Sequence, residues 1–444
     1  MGTHVSRRDL LKASAGLAST ALFAAHGATP TPAATPAATL KFWSHWAEEE
    51  NKKTVLMAAA KRFEQANPGA RVEFTWWQKA EMFPAMRNAF TAGKGFPDIF
   101  YFDHEAREFV RAGWLADLTN GIDWKEVEDW AKATWTKPGP DNKIGVWAVP
   151  LEFSTEEIYY NKEIFDKLGI KVPADYQFSA DEFLDLCKKI RAAGYDPCAN
   201  GIGDSPVTGS YLNEYALSAQ LGPEELAKLY LGEKSWKDSD VVTALNYVKK
   251  LLDVPVNPTT YATMKVAEQH VYFHTLRKAA MYLVGGWYTG RAFVPPEKGG
   301  QPKDFRLGML RYPIMPNGKG KNVMLCMVGG TIAVADKSAN KELALKLLQQ
   351  VATVETGTMW VEKTAVLTGM KTRPDIGGDF KEYFAEMARV HAGQKLAPVA
   401  HRLMLPPKLY EAYNAVLVQG WPLGLIKLED ALAKMEEVRL SLKT

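Results

Sequence analysis

Ile144 to Lys162 reads IGVWAVPLEFSTEEIYYNK. Val146, Trp147 and Val149 suit a pleated, half-buried strand. Pro150 is placed to end its ladder, and Glu152 to Glu157 supplies polar groups ahead of a turn at Tyr159-Tyr160-Asn161-Lys162. Strand, turn and helix signals so close together predict a crossing between two lobes. A second strand-to-turn passage, Phe305 to Pro316 (FRLGMLRYPIMP), is expected to carry the chain back, leaving a cleft walled by the segments after each crossing.

Size supports two lobes, because 444 residues exceed what one hydrophobic core usually holds. The 54 basic and 51 acidic side chains leave a net charge of +3, which gives no strong field for nucleic acid or an anionic membrane. At the N-terminus, Ser6-Arg7-Arg8-Asp9-Leu10-Leu11-Lys12 precedes an apolar run from Ala13 to Ala25, a pattern similar to a twin-arginine export signal. That run is shorter than the roughly 20 residues a membrane-spanning helix needs, and no other segment is apolar enough to span. Residues 1–28 are therefore expected to be a signal peptide and 29–39 a Pro/Ala/Thr linker (TPTPAATPAAT from Thr29), with the folded chain beginning near Leu40. None of the three cysteines, Cys187, Cys198 and Cys326, lies near the signal, so a soluble periplasmic protein is expected rather than a lipoprotein. Cys187 and Cys198 are spaced for one small-loop disulfide or for two ordinary buried thiols.

From Leu40 the pattern alternates strand, helix, strand: LKFWSHW, a helix carrying Val55, Ala59 and Phe63, then Val72, Phe74 and Trp76 on one strand face. A helix from Phe83 to Ala92 and the buried strand DIFYF (Asp98 to Phe102) come next. This order predicts an α/β fold with a parallel sheet, in which ligands sit beyond the carboxyl ends of strands. Trp43, His45, Trp46, Trp77, Gln78, Asp103 and His104 all fall there. Later elements are an amphipathic helix from Ala180 to Ala193, a helix from Val241 to Leu252, and the strand Lys278 to Tyr288, where Gly285-Gly286 presents Trp287 and Tyr288. Val328 to Ala335 is a strand, Ala344, Leu347, Leu348 and Val351 mark a helix face, and Leu428 to Leu442 closes the chain as a helix.

Enzyme motifs of the phosphate-loop, H-E-x-x-H and G-x-S-x-G kinds are absent. Ser338-Ala339-Asn340-Lys341 matches S-x-x-K but is placed to cap the following helix. His270 and His274 have the i,i+4 spacing of a metal pair, although a solvated helix face is the simpler expectation. Glu152, Glu156 and Glu157 could pair for glycoside hydrolysis, but one ligand contact and two solvated charges is the safer reading. Tyr159-Tyr160 is read as one core ring and one ring on the interlobe wall. What remains is aromatic rings with polar neighbours, which suits a sugar: an indole stacks on the apolar face of a pyranose while hydrogen-bonding groups meet its hydroxyl rim. Of the 13 tryptophans, Trp43, Trp46, Trp77 and Trp287 are the least explained as core.

Several stretches resemble the bacterial extracellular solute-binding proteins of family 1, the sugar-receiving subunits of ABC importers. They are Ala92-Gly93 to Asp98 with GWLADL (Gly113 to Leu118), the Val149-Pro150 to Tyr160-Asn161-Lys162 crossing, Ala279-Ala280-Met281 to Gly286-Trp287, and VGGTIAVADKSANKELA from Val328. The resemblance implies a two-lobed type II periplasmic binding fold that closes on its ligand about a hinge. It implies a first lobe of residues 40–149 and 313–353 and a second of 150–312 and 354–444. By the same resemblance Trp43, His45, Trp46, Asp103 and His104 would touch ligand from the first lobe. Glu152, Tyr211, Trp287, Tyr288 and Arg373 would do so from the second, with Gly330 in a small-residue segment lining the cleft. The implied role is to bind a neutral mono- or oligosaccharide and deliver it to the membrane permease, as a monomer, without catalysis or cofactor. A receptor for glycerol phosphate, an anionic sugar or a metal, or a secreted glycan-active enzyme, would be the alternative.

Overall fold

The computed structural model describes residues 38–103, 108–372 and 380–442. The expected signal peptide, most of the linker, His104 and Arg373 lie outside the described residues. In chain order the strands are β1 (Ala38–Ser44), β2 (Ala70–Trp76), β3 (Ile99–Phe102), β4 (Thr136–Pro138), β5 (Ile144–Val146), β6 (Val149–Asn161), β7 (Asp196–Cys198), β8 (Ala279–Gly285), β9 (Leu307–Leu310), β10 (Val323–Val334) and β11 (Lys395–Ala397). Their main hydrogen-bonded order is β2-β1-β3-β10-β6-β8-β7, with β9 on β6 and β11 on β10. β1 runs parallel to β2 and β3, and β7 parallel to β8, as the strand-helix alternation predicts. β10 is antiparallel to both β3 and β6.

Local signals set the helix limits. Asn161 caps the helix Lys162–Lys167 by accepting from the backbone N–H groups of Glu163 and Ile164, and Ser179 with Glu182 forms a reciprocal capping box on Ala180–Ala192. The helix Lys341–Val351 buries Ala344, Leu347, Leu348 and Val351, the stripe expected from its spacing.

Two hydrophobic cores form. The smaller gathers Leu40, Val55, Phe63, Phe100, Phe102, Leu151, Ile332, Leu347 and Trp360. The larger gathers Tyr159, Phe183, Leu217, Tyr282, Tyr312, Leu325, Tyr413 and Met435. β6 starts in the smaller core and ends in the larger, β10 runs the other way, and residues 360–370 touch both cores, Trp360, Val366 and Met370 the smaller and Val361 and Ala365 the larger. Between the cores, Phe153, Cys326 and Val328 form a separate small cluster where β6 and β10 pair.

The structure corrects several expectations. Pro150 does not end a ladder: β6 continues through it for 13 residues, every one buried, so Glu152 to Glu157 and Tyr159 to Asn161 belong to the strand. At Pro150 β6 has only β10 beside it, since β8 and β9 pair from Glu156 and Ile158 onward, and a strand with one open side tolerates a proline. The Phe305 to Pro316 passage does not return to the first core. Its strand β9 pairs with Ile158 to Asn161 at the far end of β6, Tyr312 and Met315 sit in the larger core, and the return is made within β10. Cys187, Cys198 and Cys326 are free and buried. Tyr159 and Tyr160 both pack inside the larger core.

Candidate functional site

The first wall is built where β1, β2 and β3 end together. Trp43 and Trp77 are half-buried with ring centroids 4.8 Å apart at an interplanar angle of 50°, and the Trp77 backbone N–H donates to the Ser44 carbonyl at 2.8 Å. Asp103, just beyond β3, accepts from the Tyr101 hydroxyl at 2.7 Å and from Lys79 Nζ at 3.3 Å. The His45 ring lies 4.0 Å from that of Tyr101. Burial, reinforced by Lys79, pushes the His45 imidazole well below its usual range, so it stands neutral in the wall. Gln78 donates to Glu48 at 3.0 Å. Trp46 is 1% exposed and packs between Tyr101 and Trp360, so it belongs to the core behind the wall.

A buried ionic cluster joins this wall to the crossing strand. Lys52, on the helix Glu50–Ala66, lies 2.6 Å from Glu49 and 2.5 Å from Glu152 of β6, and its ammonium is 5.1 Å from the Trp46 ring. Arg291, whose neighbour Ala292 packs in the larger core, approaches Glu48 at 3.4 Å and Glu49 at 3.5 Å, and Asn51 donates to the Gly290 carbonyl at 2.9 Å. Gly290 is required by this approach, since a Cβ there would lie 2.8 Å from Lys52 Cε. Burial alone would raise Glu49, yet Lys52 and Arg291 hold it down to about 2. Glu152 is raised by burial and by Glu49 and Asp103, because one ammonium is shared by two carboxylates. Gly330 of β10, at φ +53°, packs against Glu152, and a Cβ there would meet the Glu152 side chain at 2.7 Å.

The second wall rises from the far half of β6. Period-two alternation puts Glu152, Ser154 and Glu156 on one strand face and Glu157 on the other, where it meets His391 at 2.7 Å. Beside that first face, Gly285 pairs with Glu156 and the Trp287 ring turns back over Gly285. Trp287 is half-buried, and its Nε1–H donates at 3.3 Å to the hydroxyl of Tyr211, which is 1% exposed and so lies in the core behind it rather than on the surface as expected. Tyr288 is fully buried and shares a 2.8 Å hydrogen bond with His274, placing it in the core behind Trp287. His270 and His274 are buried, not solvated. Their segment packs against β8, and burial lowers both imidazoles, His270 well below the usual range and His274 to about 4. No group of three or more potential metal ligands occurs among the described residues.

Glu156 and Glu157 are likewise buried, which overturns their reading as solvated charges. Neither carboxylate oxygen of Glu156 has a hydrogen-bond partner, and burial with Glu214 nearby raises its carboxyl well above the usual range. Glu214 is clamped to His401 by two bonds of 3.0 Å, one from the backbone N–H and one to Nδ1. That clamp fixes the short helix His401–Met404 and with it Arg402, whose Nη2 donates to the sulfur of Met327. Sequence reasoning missed Lys52, Ser154 and Arg402. Ser154 follows from Glu152 by strand parity once β6 is seen as continuous, whereas Lys52 and Arg402 carry no local signal.

The family model of the bacterial extracellular solute-binding proteins matches residues 46–357. The multiple sugar-binding protein of Streptococcus mutans serotype c is 24% identical over 304 residues, covering 67% of each chain. Among solved structures, a chitin oligosaccharide binding protein superposes with a TM-score of 0.76 at 22% identity, covering 91% of this chain and 98% of that one. The GacH receptor of Streptomyces glaucescens GLA.O, solved unliganded and with acarbose, gives 0.69 at 20% identity, covering 91% and 98%.

Proposed function

The chain belongs to the bacterial extracellular solute-binding proteins, and from that premise we propose that it is the receptor of an ABC importer for a neutral mono- or oligosaccharide, held between the two walls. The observation that carries this reading is the set of half-buried indoles, Trp43 and Trp77 on one wall and Trp287 on the other, each beside hydrogen-bonding groups. Indole faces stack on pyranose rings, and Asp103, Gln78 and Ser154 supply acceptors and donors for hydroxyls. Relatives named for sugars point the same way: the multiple sugar-binding protein, the chitin oligosaccharide binding protein and a receptor seen with acarbose.

The protein binds its solute and returns it unchanged. Lobes built on the two cores would close about β6, β10 and the 360–370 segment, and contacts from both walls would favour the closed form, which the permease recognises. Export through a twin-arginine signal in residues 1–28 to the periplasm, without a lipid anchor, completes the proposal. His104 and Arg373 are assigned to the ligand by family resemblance alone.

A thermal-shift screen of the chain from Thr39 onward tests it, against raffinose, stachyose, galactose, chito- and xylo-oligosaccharides, sugar acids, polyol phosphates and metal ions. A ligand that binds only the folded state raises the melting temperature. A shift with a neutral sugar that is recovered intact is expected. Shifts confined to anions or metals would replace the sugar reading.

A further inference from the structure

Arg402 has the features of a group waiting for a partner. It is 7% exposed, yet among the described residues no carboxylate lies within ion-pair distance, and its guanidinium donates to the thioether of Met327. A guanidinium carries five N–H donors, and the Met327 thioether takes only one of them. Across from it, both oxygens of Glu156 are acceptors without donors. The register places the two together. Met327, which Arg402 touches, pairs with Ser154 across β10 and β6, and Ser154 is two residues from Glu156 on the same strand face. Asp103 of the first wall and Tyr211 of the second also lie within electrostatic reach of Arg402. Tyr211 in turn receives the Trp287 indole N–H.

A guanidinium short of oxygen acceptors beside a buried carboxyl group with no hydrogen-bond partner is met by a group that both accepts and donates. A sugar hydroxyl does both. We propose that Arg402 is a specificity-determining residue of the cleft: its guanidinium, with Glu156 beyond it, reads hydroxyls of the sugar unit that stacks on Trp287. This rests on the sugar-receptor reading above and adds which groups choose the sugar. Vicinal hydroxyls suit the planar fork of a guanidinium, which can donate to two neighbouring oxygens at once.

The test uses the neutral sugar among raffinose, stachyose, galactose, chitotriose and xylotriose that gives the wild type its largest thermal shift, and titrates it calorimetrically into wild type, Arg402→Lys and Glu156→Gln. Both variants should bind roughly tenfold or more weakly, the size of losing a hydrogen bond to a charged group. Their ligand-free melting curves report folding separately. On the ligand side, monodeoxy analogues of the same sugar need no variant: one position should cost the wild type roughly tenfold or more, and Arg402→Lys should lose most of that discrimination. Unchanged affinity in folded variants, or no deoxy position to which Arg402→Lys is indifferent, overturns the proposal and leaves the receptor standing. A wild type that binds none of the five sugars overturns both.

Discussion

The two walls of the cleft are made in different ways. The first takes Trp43, His45, Trp77, Gln78 and Asp103 from the ends of three adjacent strands, within 61 residues of sequence (43 to 103), and partners them with residues of that same stretch, such as Glu48, Lys79 and Tyr101. The second draws Ser154 and Glu156 from the crossing strand, Trp287 from beyond β8 with Tyr211 fully buried behind it at a helix start, and Arg402 from near the C-terminus. Its polar groups are buried and partly unpartnered. Ser44 Oγ, His45 Nδ1 and Trp77 Nε1 of the first wall are unpartnered too, so the contrast lies in assembly: one wall comes from neighbouring strand ends, the other from segments far apart in the chain.

The joint between the walls should give the largest effect when broken. Lys52→Ala leaves Glu49 and Glu152 facing each other in a buried site, and should destabilise by about 3–5 kcal/mol in urea unfolding. A loss under about 1 kcal/mol would show that the cluster is solvated and does not join the walls.

Acid sharpens the same point. Glu49 is held at about 2 against an ordinary value of 4.5, so its contribution is present above pH 4.5 and drains away as pH falls toward 2. The full difference is worth about 3 kcal/mol. Glu156 has the opposite sign, since a raised carboxyl costs stability as pH rises above its unfolded value. Comparing wild type with Glu49→Gln isolates the first effect: the wild-type advantage should shrink between pH 5 and pH 2.5, and a gap independent of pH would refute it.

Trp287→Ala removes the stacking face of the second wall. Sugar affinity should fall by about 1 kcal/mol or more, roughly fivefold, with the melting temperature of the free protein kept within a few degrees. Equal affinity would move the ligand to the first wall alone. The smallest effect is expected at Lys79, whose side chain is 32% exposed beside Asp103: Lys79→Ala should change stability by under about 1 kcal/mol. A larger loss would mean that the first wall also depends on buried charge.

Much of the first wall was legible because its residues come directly after strands with clear periodicity. The second was only half legible. Trp287 is announced by the double glycine before it, and Tyr211 came through family resemblance, yet Arg402 sits in a short helix with no apolar period and no motif. The misreading of β6 has a physical cause too. Glu152, Ser154, Thr155, Glu156 and Glu157 form a polar run that reads as solvated, and it becomes a buried strand only because β10, β8, Lys52 and His391 surround it. The same holds for His270 and His274, whose i,i+4 spacing says nothing about the sheet that covers them.

Alternation of short strands with amphipathic helices, the crossing at Val149 to Asn161 and the aromatic strand ends are properties of local sequence. They determined the α/β class, two lobes and the aromatic residues at the ends of β1 to β3, because hydrophobic periodicity is written in neighbouring residues. Tertiary structure alone decided where the chain recrosses, which glutamates are buried, that Lys52 sits between Glu49 and Glu152, and that Arg402 comes to lie against Met327. Those outcomes depend on partners far away in the chain, and burial of a charge is a property of what surrounds it rather than of the residues beside it.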